Sequence, residues 1–185
     1  MARVKFVDAD THPHLADEIS RISGARRGRL INVYKALLNS PRLALIWTDL
    51  ITAGKDAVEL DARTREMVIL RVAVLTRGEY IFRAHAPGFA REVGLTDAEV
   101  EALLDLKSYD GFGERDRAVL AYVDAMTRDI EVPDAVFDAL KPHFDDRRIV
   151  EITVVVGVYN MHARVGRALR IDLEPTWDLA AAPWR

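Results

Sequence analysis

The sequence predicts an all-α protein, a compact multi-helix domain of about six to eight helices. Three observations carry that prediction. Apolar residues recur at helical spacing along most of the chain. Residues that start and stop helices stand at the ends of those runs. Two runs, 62–76 and 149–165, are apolar on nearly every face, the pattern of a helix buried in a core or against another subunit.

The elements follow in order. Residues 1–30 are weakly patterned and polar, with a short helix expected around Leu15–Ile22. Leu30–Leu38 reads as another short helix. Ser40-Pro41 is a helix start, because serine caps well and proline fits the first helical position. That helix is expected to run through Leu43, Leu45, Ile46 and Leu50 to Gly54 as its C′ residue. Asp61 caps the run 62–76, and Gly78 breaks it. Glu79–Val93 is expected to be one helix ending at Gly94, interrupted at Pro87-Gly88 because proline lacks the N–H. Thr96-Asp97-Ala98-Glu99 is a capping box, with a helix expected to about Leu106 and a loop over Lys107–Gly113. Glu114–Arg128 carries apolar positions at helical spacing, and Pro133 starts a short helix through Leu140. Asp145 or Asp146 caps a long helix to about Leu169. Its β-branched stretch Ile152–Val158 is read as helix because the pattern continues without a break. Residues 1–39 are thus a lead-in, 40–172 the helical domain, and 173–185 an extended arm.

Composition narrows the function. The chain has 185 residues, half of them apolar and 30% charged, with a net charge of −3. No basic field points to nucleic acid as a partner. The run Ile152–Val158 is far short of the ~20 residues that span a bilayer, so no membrane partner is expected. The N-terminal residues lack the apolar segment of a signal peptide, and the cytoplasm is the expected compartment. There is no cysteine, so no disulfide or thiolate nucleophile exists. Asp8, Asp10, His12 and His14 crowd together without a scaffold to orient them, and no metal site is expected there. Phosphate loops and dinucleotide fingerprints are absent as well, so no cofactor is expected.

Charged groups stranded in apolar helices are the candidates for chemistry. His85 falls in the middle of an expected helix, and a histidine titrating near neutrality suits acid–base work. Glu66 lies in an apolar run and needs a partner there. A Glu66–His85 pair across two helices would fix the imidazole tautomer, in a catalytic centre or as a structural staple. Arg71 is a lone cation among Val68, Ile69, Leu70, Val72 and Val74, and a buried arginine requires an anion. That anion could be a substrate carboxylate, Glu66, or a glutamate of another subunit. Glu79 and Arg83 form an i, i+4 pair, with Arg83 expected at the surface.

The segment Arg77-Gly78-Glu79-Tyr80-Ile81-Phe82-Arg83-Ala84-His85 resembles the site of the carboxymuconolactone decarboxylase and alkylhydroperoxidase D-like family. In the peroxidase branch of that family a Cys-x-x-Cys pair precedes a histidine by four residues, and a glutamate lies 19 residues before that histidine. The same spacing here gives Gly78 and Ile81 at the cysteine positions and Glu66 at the glutamate (85 − 66 = 19). Ala90-Arg91-Glu92-Val93-Gly94-Leu95 and Tyr159-Asn160-Met161-His162-Ala163-Arg164 resemble flanking family segments, and the likeness covers roughly 40–172. With Gly78 and Ile81 in place of thiols, peroxide reduction through a thiolate and a resolving thiol is excluded. The cysteine-free branch includes a decarboxylase that uses no metal or organic cofactor. The resemblance therefore implies a cofactor-independent lyase or isomerase working by proton transfer on a small carboxylated or lactone substrate. His85 and Glu66 would be the catalytic pair, with Arg71 or Arg164 holding substrate charge and Glu79 and Tyr80 lining the pocket. A catalytically silent binding protein is the alternative. The resemblance, with the surplus of apolar faces, also implies a homo-oligomer.

Overall fold

The computed structural model describes residues 1–56, 58–86 and 88–177. Among these residues all regular structure is helical. The helices are α1 (Ala16–Gly24), α2 (Asn32–Leu37), α3 (Pro41–Asp56), α4 (Ala62–Leu75), α5 (Glu79–His85), α6 (Phe89–Glu92), α7 (Asp97–Ala102), α8 (Glu114–Arg128), α9 (Asp134–Asp138) and α10 (Asp146–Leu169). Two 3-10 turns, Pro13–Leu15 and Leu106–Ser108, complete the set. The all-α class is as expected, with more and shorter helices.

The described residues fall into two compact units. The first comprises 1–56 and 166–177. In it, α1 and α2 pack on α3 around Ile22, Val33, Tyr34, Leu38 and Ala44. Its two stretches are tied by hydrogen bonds. The Arg3 amide donates to the Leu169 carbonyl at 2.8 Å, and the Asn32 side chain donates to the carbonyls of Asp172 and Leu173. Arg26 lies over the Tyr34 ring and donates to its hydroxyl. The weakly patterned lead-in is therefore ordered by polar ties that no hydrophobic period reveals. Of the expected arm, 178–185 lies outside the described residues.

The second unit, 58–165, is built on α4. Every residue from Glu66 to Ala73 is buried, as the all-round apolar pattern predicted. Helix α4 packs against α5, α6 and α8. The Asp61 side chain accepts from the Thr64 amide at 2.8 Å and caps its start. Its end differs in detail from expectation. Arg77, at φ 51°, takes the left-handed position, and the amides of Arg77 and Gly78 return to the carbonyls of Val74 and Ala73. Gly78 is then the N-cap of α5.

Other boundaries moved too. Helix α3 continues past Gly54 to Asp56. The expected helix 79–93 is two helices, so His85 ends α5 instead of sitting mid-helix. The break expected at Pro87 itself lies outside the described residues. The capping box at Thr96 is present, yet α7 stops at Ala102. Helix α10 is not buried all round. It turns Ile149, Ile152, Val155 and Val156 inward and leaves Val150 and Val154 exposed.

Candidate active site

The turn at Thr76–Gly78 folds α5 back along α4. Glu66 lies nine residues before the end of α4 and His85 six after the start of α5, so each sits roughly 9–14 Å from the turn. The hairpin brings them together: His85 Nδ1 is 2.6 Å from Glu66 Oε1. A carboxylate has only acceptors, so Nδ1 is the donor, and in the neutral ring the lone pair belongs to Nε2. Nε2 has no hydrogen-bond partner among the described residues. The Glu66 side chain is only 7% exposed, whereas His85 retains 18%. The carboxylate is thus shut in behind a ring that keeps some exposure. Two aromatic rings flank the imidazole. Phe89, at the start of α6, lies 5.5 Å away between centroids, and Tyr159 of α10 meets the imidazole edge-on at 5.6 Å. Tyr159 in turn stacks on His162.

The remaining site candidates are placed as follows. Arg71 has its anion inside the chain. Its Nε and one terminal nitrogen fork onto the two oxygens of Asp124 on α8, each at 2.6 Å, and the other terminal nitrogen donates to the Leu103 carbonyl at 2.7 Å. Glu79 accepts from Arg83 Nε at 2.8 Å. Arg83 is buried and not at the surface, because α5 lies against α4. Tyr80, next to Glu79 in sequence, is buried. Arg164 is exposed and donates to Oδ1 and the carbonyl of Asn160 on its own helix. Five residues separate it from Tyr159, about 140° around the helix, so it points away from the ring that meets His85. The structure therefore joins Glu66 to His85 and sets Glu79 and Tyr80 at the other end of the same helix, while Arg71 and Arg164 serve other contacts.

Sequence reading passed over Asp124 and Phe89. Phe89 stands four residues after His85, a spacing that would have suggested it. Asp124 is 53 residues from Arg71 and carries no local signal.

Gly78 and Ile81 are both buried. A Cβ built on Gly78 would stand 3.2 Å from Thr76 Oγ1 and 3.5 Å from Ala163 Cβ. A side chain there would have to fit between α4 and α10.

Residues 41–125 match the family model described as the carboxymuconolactone decarboxylase family. The uncharacterized protein YnjA of Escherichia coli is 28% identical over 116 residues, 62% of this chain. The match spans 63% of that relative's length. An uncharacterized peroxidase-related protein from Silicibacter sp. TM1040 superposes with a TM-score of 0.81 at 23% identity, over 95% of this chain and 93% of its own. The debrominase Bmp8, in complex with 2,3,4-tribromopyrrole, superposes with a TM-score of 0.77 at 16% identity, over 95% of each chain. These structures share the all-helical fold.

Proposed function

From the match of residues 41–125 to the carboxymuconolactone decarboxylase family, we propose that this chain is a member of that family and a cofactor-independent lyase or isomerase that moves a proton on a small carboxylated or lactone substrate. One observation carries the proposal: a shielded carboxylate fixes an imidazole whose second nitrogen has no hydrogen-bond partner among the described residues. Glu66 holds the Nδ1 proton and would stabilise the imidazolium once Nε2 takes a proton from substrate carbon. The same group can return that proton to a neighbouring carbon or to the carbanion left by loss of CO2. The walls of Phe89 and Tyr159 suit a flat, unsaturated ring. A debrominase of this fold is seen with a small planar ring, which supports a ligand of that size. Glu79 and Tyr80 would contribute substrate contacts. Arg71 is already committed to Asp124, so the proposal does not use it to hold substrate charge. The protein would work in the cytoplasm as a homo-oligomer.

The absence of cysteine removes thiol-based peroxide reduction, whatever relatives carry out. The test is proton exchange in D2O. A panel of small carboxylated lactones is incubated with the protein and followed by proton NMR for deuterium uptake and CO2 release. Exchange that needs His85 supports the proposal. No exchange on any member, with ligands nevertheless bound, would favour the silent binding protein.

A further inference from the structure

We propose that the exposed face of α10 between Asp146 and Arg164 docks a second copy of this chain, antiparallel, about a twofold axis near residues 155 and 156. Val150 is 60% exposed and Val154 47%, on a helix whose other side is buried core. Gly157, Val158 and Met161 continue the same stripe, each half-buried. At 100° per residue the five positions fall within an arc of about 100° and cover roughly 16 Å of helix. This is an apolar seam that the described residues leave partly uncovered, most of all at Val150 and Val154, and it is too regular for scattered surface residues.

The charges at its ends say what fits it. Asp146 and Arg164 are 18 residues apart (164 − 146), which is five full turns, so they stand on one flank of the seam. Both are exposed. Asp146 makes no hydrogen bond or ion pair among the described residues, and Arg164 reaches only Asn160 behind it. An antiparallel copy sets Asp146 against Arg164 at both ends, whereas a parallel copy leaves the two about 27 Å apart along the axis. The pattern inverts about its own midpoint, as an isologous interface requires. The same register sets Val154 over the second copy's Gly157. There a Cβ would meet nothing nearer than Met126 Cε at 3.9 Å, so the knob has room. Tyr159, whose ring edge meets His85, lies on this helix, so docking would brace one wall of the site. The inference stands on α10 alone and does not depend on the proton-transfer proposal.

The test is sedimentation equilibrium of the full chain from 1 to 100 µM. The wild type is expected to exceed the 20.8 kDa of one chain, and Val154→Arg to run as a single chain with its helical content unchanged. Asp146→Arg and Arg164→Asp are each expected to weaken association about tenfold or more, and the double swap to restore it to within about threefold. The native chain has no cysteine, so Val154→Cys offers a single thiol and should oxidise to a covalent dimer, while Glu131→Cys should not. A wild type of 20.8 kDa at 100 µM would overturn the proposal, as would undiminished association of Val154→Arg. A double swap no tighter than the single ones would overturn it equally.

Discussion

Nδ1 of His85 sits 2.6 Å from Oε1 of Glu66, across a hairpin whose turn lies near the middle of the 18 intervening residues. Nothing local forces this contact. It follows from the lengths of α4 and α5 and from the turn at Arg77–Gly78. The contact orders a proton: the buried carboxylate accepts from Nδ1, which leaves Nε2 as the ring nitrogen without a hydrogen-bond partner among the described residues.

Catalytic and structural roles for the pair separate on paired measurements of turnover and melting. His85→Ala is expected to lose roughly 10²–10⁴-fold in proton exchange with the fold retained, the usual weight of a proton-transfer group. Glu66→Gln should lose less, since the amide oxygen can still accept from Nδ1 but no longer offsets the imidazolium charge. Melting points that fall by many degrees with exchange per folded molecule unchanged would leave the pair a staple between α4 and α5.

Much of the fold could be read from the chain because it rests on short-range chemistry. Asp61, Thr96 and Asp145 bond amides three residues away, and such caps are written in adjacent letters. The pairing of Glu66 with His85 was legible by another route, the resemblance to the peroxidase branch, which shows the same separation of 19. The end of α7 was not. The helix was expected to reach Leu106, but Arg71 takes the Leu103 carbonyl at 2.7 Å. The Lys107 amide, which a continuing helix would give to that carbonyl, goes to Asp105 Oδ1 instead. A residue 32 positions away thus decides where α7 stops. Arg83 was misplaced at the surface for a related reason: its i, i+4 partner Glu79 is visible in sequence, but the packing of α5 on α4 is not.

The fork between Arg71 and Asp124 should hold α4 to α8. The Arg71 side chain is 6% exposed, so removing its partner leaves a cation inside the core. Asp124→Ala is expected to cost about 3 kcal/mol in urea unfolding, in the range for breaking a buried pair. Arg71→Met with Asp124→Leu should recover most of that loss, because two apolar groups leave no stranded charge. A single Asp124→Ala variant as stable as the wild type would show that solvent reaches Arg71 and replaces the carboxylate.

Acid should loosen the start of α4 through Asp61. Burial pushes its carboxyl up, but the Thr64 amide and hydroxyl and the Arg115 guanidinium outweigh burial and leave it below the ordinary 3.8. A carboxyl depressed on folding adds stability that is complete above its unfolded value and disappears as pH falls through the folded one. The loss therefore belongs below about pH 4. Asp61→Asn keeps a capping oxygen and has no charge to lose. Its melting temperature should drop less than that of the wild type between about pH 4 and pH 2. Parallel curves for the two proteins would remove Asp61 from the acid limb.

Ile130 offers a gain in stability. It is the C′ residue of α8 and holds φ 69°, in the left-handed region. A β-branched side chain is poorly suited to that region, where the Cβ crowds the carbonyl, at a cost of about 1–2 kcal/mol. Packing does not compensate, since Ile130 is 81% exposed. Asparagine tolerates this conformation and, unlike glycine, adds little freedom to the unfolded chain. Ile130→Asn is therefore expected to stabilise the protein by about 1 kcal/mol, with Ile130→Gly giving less because of its larger unfolded-state entropy. Chemical denaturation of both variants reads the difference directly. If Ile130→Asn were the less stable protein, the isoleucine would have to be covered in the assembled protein, and its exposure in the single chain would be the wrong guide.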